Sequence, residues 1–205
     1  MRKTIYLIRH GETDYNKLGI VQGSGIDSSL NAKGISQSRA FFNLYKEVSF
    51  DNIYTSALKR TAESVAPFVE KGYKIERLEE LNEINWGIVE GKKPDSFAHK
   101  QFRDTMDLWR DGKYDICVEG GETPLEMQKR QIVGLEKIIG KANEETILIA
   151  SHGRAMRSLI CTMLNRPLSE MDNYPHSNLC LYVFEFTDNK FTVKLRNSTN
   201  HLENK

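Results

Sequence analysis

The chain has little that would tie it to a membrane, a nucleic acid or an oxidising compartment. Its 29 Lys and Arg residues are matched by 28 Asp and Glu, a formal net charge of +1. No global field draws it to a polyanion, so neither nucleic acid nor an anionic membrane is an expected partner. No stretch comes near the ~20 apolar residues of a membrane span. The apolar run after Arg2 and Lys3 is too short for a secretory signal. Cysteine is scarce: Cys117, Cys161 and Cys180 are odd in number, widely spaced and without a paired motif. They read as free thiols in a reducing compartment, and the cytoplasm is the expected location. His99, His176 and His201 each lack a second ligand at metal spacing. They are assigned structural roles, and neither a metal nor a cofactor is expected. There are no internal repeats and no low-complexity linkers. The 205 residues can bury a sizeable core as one domain, 1–205.

What the chain does have is one ending used twice. The apolar run Ile5-Tyr6-Leu7-Ile8 leads into Arg9-His10-Gly11-Glu12-Thr13. The run Thr146-Ile147-Leu148-Ile149-Ala150 leads into Ser151-His152-Gly153-Arg154. Both runs are short, uncharged and rich in strand formers, so both read as buried strands. Each then delivers an imidazole to the carboxyl end of a sheet, where open α/β sheets bind ligands. Gly11 lets the backbone turn sharply and approach a bound group. Met156, Leu159, Ile160, Met163 and Leu164 give His152 an amphipathic helix to stand before, whose free N–H groups favour an anion.

Two further segments offer matching chemistry. Phe50 to Thr55 reads as a strand, followed by a helix with Leu58, Thr61, Ala62, Val65, Phe68 and Val69 at helical spacing and Ser56 as its cap. Arg60 falls in the first turn, where the helix dipole opposes a cation and an anion would relieve the conflict. By itself it reads as a solvated surface arginine. Leu81 to Gly91 has no clean period but carries Glu83, Glu90, two glycines and Trp86, as an ordered functional loop would. Either acid also fits a plain salt bridge.

Taken together, these pieces resemble the histidine phosphatase superfamily, also called the phosphoglycerate mutase-like family. The matching residues are Leu7 to Thr13 with Asn16, Gln22-Gly23, Ser56 to Thr61, Leu81 to Ile84 with Gly87 and Glu90-Gly91, Gly121-Glu122-Thr123, and Ser151-His152-Gly153. The resemblance implies a phosphohistidine formed on His10 and a phosphate pocket completed by Arg9, Arg60 and His152. It implies Glu83 as general acid, Asn16 as a further phosphate contact, and Gln22, Gly23 and Gly153 beside the substrate. Two arginines and a second histidine would supply positive charge without a metal. His10 must be neutral to attack, and neighbouring cations depress its pKa in that direction. The implied partner is a small phosphorylated substrate. The loop Asn85-Trp86-Gly87-Ile88-Val89-Glu90-Gly91 differs from the Arg-Tyr-Gly style loop of the mutases. No paired arginines or consecutive prolines occur between Lys100 and Gly121. A phosphomonoesterase is therefore the first expectation. A cofactor-dependent mutase is the second, and an idle phosphate-binding module the third.

The alternation of strands and helices predicts a three-layer α/β/α sandwich, with a mostly parallel central sheet and an antiparallel edge. A helix is expected from Asn31 to about Glu47 with Ile35, Ala40, Phe41 and Leu44 inward. Thr123-Pro124-Leu125-Glu126 is a capping box opening a helix with Leu125, Ile132, Leu135 and Ile139 on one face. Leu179–Phe186 and Phe191–Arg196 read as a hairpin turning at Asp188-Asn189-Lys190. Residues 92–120 form a candidate lid insert around a helix at 95–109. His201 to Lys205 reads as a loose tail.

Overall fold

The computed structural model of the protein describes residues 2–94 and 96–203. In chain order it runs β1 (Arg2–Arg9), α1 (Asp14–Lys17), α2 (Ala32–Tyr45), β2 (Asn52–Thr55), α3 (Lys59–Ser64), α4 (Ala66–Glu70), β3 (Ile75–Arg77), α5 (Phe97–Arg110), α6 (Pro124–Ile139), β4 (Thr146–Ser151), α7 (Gly153–Met163), β5 (Leu181–Thr187), β6 (Lys190–Ser198) and α8 (Asn200–Glu203). Short 3-10 turns lie at Glu79–Leu81, Gly87–Val89 and Leu168–Asn173. The strands make one sheet of order β3-β2-β4-β1-β5-β6. β1 to β4 are parallel, and β5 and β6 add the antiparallel edge.

The two apolar runs became the two central strands because both of their faces are covered. Ile5 and Leu7 join Ile147, Ile149 and the α7 residues Met156, Leu159 and Ile160 in one core. Tyr6 and Ile8 face the other way, against Leu148, Ile53, Phe41 of α2 and Phe68 of α4. Side chains alternate along a strand, so a strand buried on both sides is apolar at every position. Burying each such side chain stabilises by roughly 1.5–3 kcal/mol. The hairpin forms as expected, with Asp188 and Asn189 at φ 53° and 60°, as a tight two-residue turn requires.

Several local expectations are corrected. In α2, Phe41 is buried and Ala40 half-buried, but Ile35 and Leu44 are exposed. Gly34 and Ser38 face inward because Gly34 backs onto the Glu12 backbone and Ser38 donates to the Ser64 carbonyl at 2.9 Å. In α6 the capping box is present, but Leu125 and Ile132 are exposed. Met127, Gln131, Gly134, Leu135 and Ile138 form its buried face, since Gly134 presses on Glu80. The helix expected after Ser56 is two helices. It breaks at Val65 (φ −113°, ψ 8°), and Pro67, which cannot continue the hydrogen-bond ladder, sits in the first turn of α4. The tail is not loose through Glu203: α8 buries His201 against Phe41, while Asn204 and Lys205 lie outside the described residues. Within 92–120, α5 spans Phe97–Arg110, and Asp95, the expected first residue of that helix, also lies outside the described residues. Trp109 of α5 stacks on Trp86 at 5.4 Å, in a small cluster with Val89, Val118 and Met127.

Cys161 and Cys180 are buried and Cys117 half-buried, all free. Burial pushes Cys161 up to about 12 and Cys180 up to about 11, which keeps both as unreactive thiols. No described helix is long and apolar enough to cross a membrane.

Candidate active site

β1 and β4 pair in parallel with Arg9 opposite Ser151. His10 and His152, each one residue past its strand, therefore stand side by side with ring centroids 5.3 Å apart. Helices α3 and α7 begin at the same sheet edge and bring in Arg60 and Gly153. The loop after β3 brings in Glu83. Residues far apart in the chain thus meet at one place.

His10 is only 2% exposed. Its Nδ1 lies 2.7 Å from the Gly11 carbonyl, which only accepts, so Nδ1 carries the proton and Nε2 keeps a lone pair. Gly11 is itself fixed, donating its N–H to Ser64 Oγ at 2.8 Å. Asn178 Nδ2 donates to the His10 carbonyl at 3.1 Å. Burial, then Arg9 and Arg60, hold the His10 pKa well below the ordinary 6.5. The imidazole is neutral at pH 7.

Arg60 is completely buried, which corrects the reading as a surface arginine. Its Nε donates to His152 Nδ1 at 3.1 Å, Nη1 to the Ile26 carbonyl at 2.7 Å and Nη2 to the Gly23 carbonyl at 3.0 Å. Burial lowers its pKa to about 10, with Glu83, Asp27 and Glu90 opposing, so it stays charged. All three hydrogen-bond partners are neutral. Arg9 donates through Nη1 to the His176 carbonyl at 3.4 Å. Its Nε is buried without an acceptor among the described residues.

His152 does not add a cation, contrary to expectation. Burial, then Arg60 and His10, hold its pKa well below 6.5. The α7 N-terminus is not an open anion site either. Glu83, 6% exposed, fills it. Its Oε2 accepts from the Arg154 N–H at 3.0 Å, and its Oε1 from those of Ala155 at 2.8 Å and Ile84 at 3.0 Å. Its carboxyl oxygens occupy the free N–H groups that a bound anion would otherwise meet. Behind it, Arg130 forks onto Glu122 at 2.6 and 2.8 Å and reaches the carbonyls of Glu80 and Glu83 at 2.8 and 3.2 Å.

The remaining expected residues line the same edge in supporting positions. Asn16 Oδ1 accepts from Thr13 N–H and Asn178 Nδ2, at 3.2 and 3.1 Å. Gln22 is engaged at both ends, donating to Thr13 Oγ1 at 2.7 Å and accepting from Ser28 at 2.6 Å. Gly23 is needed where it stands: a Cβ there would lie 2.2 Å from Glu90 Oε1 and 2.4 Å from the Ile84 carbonyl. Glu90 accepts from the N–H groups of Trp86 and Gly25, fastening two loops together.

The sequence profile of the histidine phosphatase superfamily (branch 1) matches residues 5–199. The chain belongs to this superfamily. It is 31% identical to the uncharacterized phosphatase PhoE of Bacillus subtilis (strain 168), over 97% of this chain and 96% of that one. It is 32% identical to the probable phosphoglycerate mutase GpmB of Escherichia fergusonii, over 80% of this chain and 75% of that one. The solved structure of Bacillus stearothermophilus YhfR superimposes with a TM-score of 0.86 at 27% identity, covering 98% of this chain and 99% of that one.

In this member of the superfamily, four residues at the site have no part in it by sequence reasoning: Ser56 is assigned as a helix cap, His176 a structural role, and Arg130 and Asn178 none. Ser56 meets His152, Asn178 holds the His10 carbonyl, and Arg130 holds the Glu83 backbone. His176, assigned a structural role, places its Nε2 about 3.1 Å from where a Cβ on Gly153 would be. Burial, then Arg9 and Arg157, lower it to about 3. Asn178 carries a signal as a polar residue just before a strand, and Ser56 as the first residue of the matching Ser56–Thr61 segment; the other two are ordinary until the fold gathers them.

Proposed function

We propose that the protein is a phosphomonoesterase that hydrolyses a small phosphorylated metabolite through a phosphohistidine on His10. The observation that carries this reading is a neutral, oriented imidazole beside two guanidiniums that make no direct ion pair with a carboxylate among the described residues. His10 Nε2 keeps its lone pair. Arg60 is buried against neutral partners, and Arg9 Nε is buried with no acceptor among the described residues. Buried donors are nearly always paired, so this arrangement fits an oxyanion between them.

In the first step Nε2 attacks phosphorus, a P–N bond forms and the ester P–O bond breaks. Glu83 gives its proton to the departing oxygen. In the second step water attacks phosphorus while Glu83 takes its proton, and the P–N bond breaks to release phosphate and neutral His10. Splitting the displacement in two lowers each barrier. Proton transfer through a positioned carboxyl contributes roughly 10²–10⁴-fold. Glu83 is held by three N–H donors and retains lone pairs on which that proton travels. In this reading α5, whose Met106 and Trp109 lie against Arg154 at the start of α7, covers the leaving-group side. The loop Asn85–Gly91 supports a hydrolase over a mutase.

His10→Ala should abolish turnover of an aryl phosphate while the fold persists. An acid-labile, base-stable phosphoryl adduct should be trapped on the wild type and be missing from the variant. Normal turnover by His10→Ala would overturn the reading.

A further inference from the structure

Ser56 does not cap the helix that follows it. Leu58 is the N-cap of α3 and makes no side-chain cap, and the Lys59 N–H donates to Asp27 at 2.7 Å. Ser56 is instead fully buried, with three polar neighbours around its Oγ. His152 Nε2 lies at 2.8 Å, Thr61 Oγ1 at 2.8 Å and the Leu58 N–H at 3.1 Å.

The directions of these bonds can be worked out. The Leu58 N–H only donates, so Ser56 accepts there. Thr61 Oγ1 lies 2.8 Å from the Leu58 carbonyl, which only accepts, so the Thr61 proton goes there. Thr61 can then only accept from Ser56, and the Ser56 proton is committed. What Ser56 has left for His152 is a lone pair, so His152 Nε2 carries the proton. The other side of the ring agrees independently. Arg60 Nε only donates, so His152 Nδ1 accepts.

We propose that Ser56 is a positioning residue. It fixes His152 as the neutral Nε2–H tautomer, so that Nδ1 receives Arg60 Nε and holds the guanidinium fork at the angle that meets the phosphate. The assignment rests on the reading of Arg60 as a phosphate ligand. In the opposite tautomer two N–H groups would face each other, and Arg60 would lose one of its three contacts.

Two measurements test it. Nitrogen-15 NMR of His152, assigned against His152→Asn, should show Nε2 protonated and Nδ1 bare in the wild type. In Ser56→Ala the two signals should move toward each other as the tautomers mix. Thr61→Val keeps the shape, strands the Ser56 proton and should move them in the same direction. Kinetically, Ser56→Ala should lose about tenfold in kcat/KM on an aryl phosphate, with a matching loss of vanadate inhibition, the weight of one buried hydrogen bond. Combined with His152→Asn it should add nothing further. Unmoved His152 signals in both variants, or full additivity with His152→Asn, overturn the proposal. If the wild type neither turns over phosphate esters nor binds vanadate, the functional reading fails, while the NMR arm still decides the tautomer.

Discussion

Gly34→Ala pits helix propensity against packing. Gly34 lies in the first turn of α2, and alanine is favoured over glycine in a helix by about 1 kcal/mol. By propensity alone the variant should be more stable. The structure argues the reverse. A Cβ at Gly34 would lie 2.2 Å from the Glu12 carbonyl oxygen and 2.8 Å from the Glu12 nitrogen. Even a close C–H···O contact needs roughly 3.3–3.6 Å, so one backbone must retreat by about 1 Å. The obstruction is main chain, which cannot swing aside as a side-chain tip can. Overpacking of this kind costs roughly 1–3 kcal/mol, which matches or exceeds the helical gain. We therefore expect a net destabilisation of up to about 2 kcal/mol, read as a lowered urea midpoint at unchanged slope. The damage should also reach the chemistry. A Cβ on Gly11 would sit 2.8 Å from the Gly34 carbonyl, so these two backbones already touch, and Gly11 is what orients His10. A displacement of about 1 Å near reacting groups can cost 10²-fold, so kcat on an aryl phosphate should fall well beyond the change in folded fraction. A variant about 1 kcal/mol more stable, with wild-type kcat, would refute the reasoning.

Acidification should destabilise the fold before carboxylates titrate. His10, His152 and His176 are held below 6.5, so the unfolded chain binds more protons as pH falls through that value. Their contribution is fully present above about pH 6.5 and is lost below it, by about 1.4 kcal/mol per pH unit for each histidine; urea midpoints that stay level from pH 7 to 5.5 would contradict this. Glu83→Gln should spare vanadate inhibition and lower kcat far more for alkyl than for aryl phosphates, since a poor leaving group needs the proton. Glu90→Gln should lack that dependence, because Glu90 Oε1 ties Trp86 to Gly25 whereas Glu83 stands at the start of α7; the reverse pattern would exchange the two roles. Activity should survive excess chelator, and loss restored by a divalent cation would count against two arginines as the source of charge.

What could be read from the sequence was whatever announces itself locally. Two apolar runs ending in His-Gly gave the central strands and both imidazoles, and Thr123-Pro124-Leu125-Glu126 gave the start of α6. By itself Arg60 reads as solvated, and only the family resemblance places it in a pocket, because its burial depends on the carbonyls of Gly23 and Ile26, supplied by a loop more than thirty residues earlier. The faces of α2 and α6 were misjudged for a related reason. Glycines at 34 and 134 allow backbone contact, and an apolar count cannot weigh a contact made by a missing side chain. The α7 N-terminus is expected to face an anionic ligand, but the carboxyl group of Glu83 takes that place.

The sheet order has a consequence for how the site comes into being. β4 lies between β1 and β2. The strand that carries His10 and the strand that leads to Arg60 never pair with each other, and only residues 146–151 between them join the two. During synthesis the first half of the chain can emerge with His10 and both arginines and still hold no assembled pocket. Because pairing at such sequence separation forms slowly, the pocket assembles late. A ribosome-bound chain stopped before Thr146 should be inert, whereas release of the segment through His152 should bring the imidazole pair, the buried guanidinium and the α7 N-terminus together in one event.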